Sequence, residues 1–204
     1  ELRAQRVLEV ELGQPEPACQ LRRDDDRVTT YSSRGPTRSY YTDAQGIKRY
    51  DHLIKPDLVA PGNLIVGAQA KGNEIVSENR QLALNNGADD ARKMMFMSGT
   101  SMATPIVSGT AALMLQTNPK LTPNMVKMIV QYTAQRLKDF NTLEQGAGLL
   151  NAEGAVRLTR AIRQNLPTPT PHEEPMMDAA AVPAHVSTVG GTRFQWSGGI
   201  LPNY

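Results

Sequence analysis

A single cysteine, Cys19, stands in 204 residues, so no disulfide can form within the chain. A domain of this size can fold without disulfides, which leaves the compartment open. No charge of one sign dominates. Lys and Arg number 22 against 20 Asp and Glu, a net charge of +2. That balance gives no electrostatic ground for binding nucleic acid or an anionic membrane. Long apolar runs are missing too. The most apolar window, Ile106 to Leu115, is interrupted by Ser108, Gly109 and Thr110. It falls well short of the roughly 18 apolar residues a membrane span needs. Nothing near Glu1 reads as a signal peptide. The sequence reads as an excerpt, with any secretion signal upstream.

What is present suffices for one domain with an appendage. Hydrophobic residues make up 40% of the chain, and the mean hydropathy is −0.40. Residues 1–26 are polar and irregular, with Pro15 and Pro17 against helix and a charge run from Arg22 to Arg27. Leu2 to Glu11 is charged throughout and sets this segment apart as divergent. Val28 to Tyr31 predicts a short strand ending at the turn Ser32-Ser33-Arg34-Gly35-Pro36. Residues 37–54 read as a Tyr-rich loop or hairpin. Leu64 to Ala68 has the pattern of a buried strand, and 70–92 that of a surface loop.

Ser101 to Gln116 predicts a helix that stops at Asn118-Pro119. It holds no charged residue, and a helix apolar on all sides is expected to be enclosed on all sides. Thr122-Pro123 opens a second helix and Asn151 caps a third. Composition changes at Pro167. Residues 27–165 form the main domain, 166–186 a Pro- and Ala-rich linker, and 187–204 the start of a following module.

The segment that carries chemistry is Ser98-Gly99-Thr100-Ser101-Met102-Ala103-Thr104-Pro105. A nucleophilic serine needs its hydroxyl at an exposed turn and its N–H aimed at a developing oxyanion. The start of a helix supplies both, because its first N–H groups have no intrahelical partner and its dipole favours negative charge. Gly99 lets the chain turn, and Pro105 is expected in the first helical turn, where its missing N–H matters little. The elbow pattern G-x-S-x-G fails here, since Ala103 stands two residues after Ser101. The bland alternative for Ser101 is an N-cap serine.

The string Gly99 to Pro105, G-T-S-M-A-T-P, resembles the serine motif of the subtilisin-like serine peptidases. Other segments resemble that family in the same order. They are Tyr31 to Thr37, Lys55-Pro56-Asp57-Leu58-Val59-Ala60-Pro61-Gly62, Asn118 to Pro123, and Gly146 to Asn151. The resemblance implies an α/β fold, a partial three-layer arrangement with a mostly parallel sheet and helices on both faces. It implies that Ser101 is the nucleophile, with its backbone N–H in the oxyanion hole, and that Gly99, Thr100, Met102, Ala103, Thr104 and Pro105 support it. The family's Asp-Thr-Gly and His-Gly-Thr motifs and its oxyanion Asn are absent from these 204 residues. The chain is therefore expected to need an N-terminal half of the catalytic domain as partner. The implied substrates are polypeptides, no cofactor enters the chemistry, and the resemblance is to secreted or cell-envelope bacterial members. The alternatives in other classes are a catalytically inactive remnant with a binding or structural role, and a serine esterase or amidase.

Three histidines are weak candidates for a local base. His52 lies in a Tyr-Asp-His-Leu insertion, and His172 and His185 lie in the linker. Ser108 reads as a small packing residue. Met94, Met95, Met97, Met102 and Met114 read as core filler rather than metal ligands. Asp24-Asp25-Asp26 lacks the spacing of a calcium loop.

Overall fold

A computed structural model describes residues 26–84, 89–167 and 169–201. Residues 1–20, with Cys19, and Asp24 and Asp25 lie outside them. The elements are the strands β1 (Tyr40–Thr42), β2 (Lys48–Tyr50), β3 (Ile65–Ala68), β4 (Ala83–Leu84), β5 (Met94–Met97), β6 (Val186–Val189) and β7 (Thr192–Gln195). The helices are α1 (Glu74–Glu78), α2 (Thr100–Thr117), α3 (Pro123–Tyr132), α4 (Thr142–Gln145) and α5 (Ala152–Ala161). α3 and α5 start where their sequence says, and α2 starts one residue earlier than expected, at Thr100. Thr122 caps α3 with Pro123 in its first turn, and the Asn151 side chain caps α5 by accepting from the Gly154 N–H.

The chain mixes helices with strands, as an α/β protein does, but its strand pairing departs from expectation. β5 lies between β3 and β4, and both pairings are antiparallel. The β1–β2 and β6–β7 hairpins are antiparallel as well. Among the described residues, the parallel contact outside these strands is the single bridge Val59–Leu149. The reason is in the connections. Parallel neighbours need a crossover of a dozen or more residues that returns to the same end. Here β3 leads through α1 and β4 and comes back along β5 in the opposite sense.

Other local expectations also change. Val28 to Tyr31 forms no named strand; Val28 and Thr29 are buried in a turn region. The supposed loop 70–92 contains α1, a 3₁₀ turn at Arg80–Leu82, and β4. Residues 37–54 do form the β1–β2 hairpin. Asp43 holds its turn by accepting from the Gln45 and Ile47 N–H groups and from Arg49.

The main core gathers Met114 of α2, Ile129 and Val130 of α3, Leu158 of α5, and Trp196. The β6–β7 hairpin packs on α5 and delivers Trp196 into this core, where it is 6% exposed. Its indole N–H donates to Ser187 Oγ at 2.8 Å, and Asn151 Nδ2 donates to the same oxygen at 2.9 Å. Ser187 in turn donates to Glu153 at 2.5 Å. The Ser197 and Gly198 N–H groups close the strap by donating to the carbonyls of Ala134 and Tyr132.

Helix α2 behaves differently from its expectation. Only Thr110 and Met114 on it are buried, while Ile106, Leu113 and Leu115 are exposed. One flank packs against α5 and the core. The remaining apolar faces have no cover among the described residues, so absence of charge alone does not enclose a helix.

Candidate active site

β5 runs directly into the turn Ser98-Gly99, and α2 starts at Thr100. Ser101 is therefore the second residue of the helix, and it is exposed. Gly99 takes φ +154° and ψ 162°, a region essentially confined to glycine. The turn is closed by the Gly99 carbonyl, which accepts from the N–H groups of Met102 and Ala103 at 3.0 and 3.3 Å. The Thr100 and Ser101 N–H groups have no residue four positions back within the helix, so both are open donors in the helix's terms. Positive partial charge from the helix N-terminus falls on the same spot. Hydroxyl and N–H together can present a nucleophile beside an anion-stabilising donor.

The loop Pro61 to Leu64 supports this turn. The Gly99 N–H donates to the Gly62 carbonyl at 2.7 Å, and the Leu64 N–H donates to Ser98 Oγ at 2.9 Å. Gly62 is needed for the fit. A Cβ there would stand 2.8 Å from the Gly99 oxygen and 3.0 Å from Ala103 Cβ. Tyr31 reaches the loop from the other side, its hydroxyl donating to the Gly62 carbonyl at 2.9 Å. Burial pushes the Tyr31 phenol above its ordinary value, and the nearby polar groups of Thr29, Ser98 and Gly99 oppose that rise. A hollow of about 750 Å³ is lined by Tyr31, Pro36, Val59, Gly62, Thr100 and Ala103 among others. Ser101 does not line it, so it runs beside the helix rather than at the hydroxyl.

Two motif residues differ from their expected roles. Pro105 is the sixth residue of α2, beyond the first turn. Its missing N–H would have met the carbonyl of Ser101, four residues back, so the proline loosens the helix at the serine itself. Ser108 is exposed rather than packed, and its hydroxyl donates to the Thr104 carbonyl at 3.2 Å. Thr104 likewise donates to the Thr100 carbonyl.

No histidine is brought to Ser101 among the described residues. His52 stacks on Tyr50 in the hairpin, with ring centroids 5.5 Å apart. His185 stacks on Trp196 and meets the Tyr132 hydroxyl at 3.4 Å. His172 is exposed in the segment after the proline run. The described residues hold no cluster of three or more His, Cys, Asp or Glu suited to a metal, and no helix long and apolar enough to cross a membrane. Sequence reasoning passed over Tyr31 and Gly62 as individual residues. Both lie in segments that carried the resemblance, but only the fold shows them meeting at the serine turn.

Residues 19–155 match the subtilase family of peptidases. The chain belongs to that family. It is 39% identical over 133 residues to the serine protease AprX of Bacillus subtilis, covering 65% of this chain and 26% of AprX. It is 38% identical over 121 residues to the subtilisin-like protease SBT1.9 of Arabidopsis thaliana, covering 59% of this chain and 14% of that protein. The chain thus spans about a quarter or less of the length of these relatives. Among solved structures, the patellamide maturation protease PatA is 31% identical with a TM-score of 0.32, covering 50% of this chain and 32% of that one.

Proposed function

We propose that this chain carries the nucleophile of a subtilisin-like serine endopeptidase, and that the nucleophile is Ser101. The observation that carries the reading is the place of Ser101, exposed at the second position of α2, behind a glycine in a glycine-only conformation. In the reaction, Ser101 Oγ attacks the scissile carbonyl of a polypeptide and forms an acyl-enzyme, which water then releases. The Ser101 N–H, at the positive end of α2, stabilises the oxyanion. The histidine that takes and returns the proton, its orienting aspartate and a second oxyanion donor, an asparagine, come from an N-terminal half of the catalytic domain outside these 204 residues. The chemistry calls for no cofactor. Membership of this peptidase family favours an extracellular or cell-envelope setting.

The test is labelling of the full-length protein with a fluorophosphonate, followed by peptide mapping. Modification confined to Ser101 is the expected result. A label on Ser108, Ser32 or Ser33 shows that the nucleophile lies elsewhere. A full-length protein that takes no label and cleaves no denatured protein is an inactive remnant, and the proposal fails.

A further inference from the structure

We infer that Tyr31 is a positioning residue for Ser101, acting through the Gly62 carbonyl; the inference rests on the reading of Ser101 as nucleophile. The turn Ser98-Gly99 gains its long-range support from one short loop. The Gly62 carbonyl takes the Gly99 N–H, and Ser98 Oγ takes the Leu64 N–H, at 2.7 and 2.9 Å. Two hydrogen bonds between neighbouring loop segments form a hinge, which can still swing as a unit. The Tyr31 hydroxyl adds a third tie from a separate segment, 31 residues away in sequence.

The geometry says where the phenol proton goes. A hydroxyl has one hydrogen to give, and the Gly62 carbonyl at 2.9 Å is a better acceptor than Asn63 Oδ1 at 3.4 Å. The Gly62 oxygen then receives two donors, the Tyr31 hydroxyl and the Gly99 N–H, and is restrained by both. A phenol holds its proton through neutral and mildly alkaline pH, and burial pushes Tyr31 further in that direction, so the donor is present wherever a histidine base would be working.

Contact turns that restraint into alignment. Gly62 lies so close to the serine turn that a Cβ on it would meet both the Gly99 oxygen and Ala103 Cβ within 3.0 Å. A shift of Gly62 is therefore passed to Gly99 on one side of Ser101 and to Ala103 on the other. Displacement of a reacting group by about 1 Å can slow a reaction on the order of 10²-fold. A restraint that removes part of such a displacement is worth about tenfold in the reactivity of the serine.

The experiment is Tyr31→Phe in the full-length protein, which removes the hydroxyl and keeps the ring. Hydrogen exchange of peptides spanning residues 62–64 and 96–104 reads the tie directly, and fluorophosphonate kinetics read its effect on Ser101. The expected result is faster exchange at Leu64 and Gly99, an inactivation rate constant lowered about tenfold, and unchanged reagent affinity and melting temperature. A general loss of packing would lower the melting temperature and weaken reagent affinity together, and that outcome overturns the inference. So does exchange that stays at the wild-type rate, or exchange that rises while labelling is unaffected. If exchange rises and neither protein takes label, the tie stands and the peptidase reading falls.

Discussion

Leu158 on α5 is 5% exposed and Leu113 on α2 is 50% exposed, although the two helices pack against each other. The region around α3, α5 and the β6–β7 hairpin closes on itself. The indole of Trp196 fills its centre, and Ser187 gathers polar side chains that would otherwise be stranded. The region around β5, the Ser98-Gly99 turn and α2 stays open, with apolar side chains and the Ser101 hydroxyl on its surface. The sequences differ in kind. α5 sets an apolar face against the core and Glu153 and Arg160 toward water, while Arg157 lies over the Trp196 ring and donates to the Val186 carbonyl. α2 has no charged residue and is committed to no particular side. The closed region is built for stability, and the open one holds the proposed nucleophile.

The contrast is broken most directly at the serine. Ser101→Ala in the full-length protein should abolish labelling and lower peptide hydrolysis on the order of 10⁶-fold, a figure taken from subtilisin, a member of this same family. It should leave the melting curve within about 0.5 kcal/mol of wild type, because the side chain is exposed. Trp196→Ala should do the reverse. It removes a nearly buried indole from the main core and should destabilise by about 3–5 kcal/mol in chemical denaturation. Equal stability losses from the two variants would erase the distinction between the regions.

Ser187→Ala tests the polar centre of the closed region. It leaves the buried Trp196 N–H without its acceptor, while Asn151 Nδ2 keeps the Thr133 carbonyl at 2.9 Å, and should destabilise by about 1–3 kcal/mol. Leu113→Glu tests the open region in the isolated 204-residue chain. The uncovered face of α2 should make that chain self-associate and bind an apolar dye, and the added charge should reduce both, as followed by size exclusion and dye fluorescence. An unchanged elution profile would mean that this face is not the sticky one.

The smallest effect is expected in the hairpin. Backbone hydrogen bonding at Ile47 and the Arg49 side chain hold the Asp43 carboxyl below its ordinary value, and Thr37 does the same for Asp51. A depressed carboxylate contributes its stabilisation above the unfolded value of about 3.8 and loses it as pH falls through the folded value. The Tyr40–Tyr50 ring contact should therefore loosen only in acid below that point, as seen in tyrosine resonances. Asp51 is exposed and the Asp43 carboxyl sits in a surface hairpin turn outside the core, so global stability should barely respond. Loosening at neutral pH would show that these carboxylates do not hold the turn.

Much of the candidate site was legible before folding. Gly99 to Pro105 is a long contiguous string, and local geometry follows from local residues: a glycine-only turn, then a helix start, then an exposed hydroxyl. The hairpin was legible for the same reason, since its turn is satisfied by Asp43 within a few residues. The caps of α3 and α5 were equally readable at Thr122 and Asn151. Pro105 was expected in the first turn, but even from Ser101 it is the fifth residue, and with the helix starting at Thr100 it is the sixth, because the Gly99 carbonyl already accepts from Met102 and Ala103.

What tertiary structure alone decided involves groups distant in sequence. Strand direction is one case, because four-residue apolar runs such as β3 and β5 look alike whichever way they pair. The burial of α2 is another, because composition states what surface a helix can lose but not what lies against it. Tyr31 and Gly62 are the sharpest case. Each is unremarkable in its own segment, and their roles exist only where the Tyr31 hydroxyl, the Gly62 carbonyl and the Gly99 N–H meet. A hydrogen bond or a close packing contact is a property of two atoms at a distance, and that distance is set by the fold.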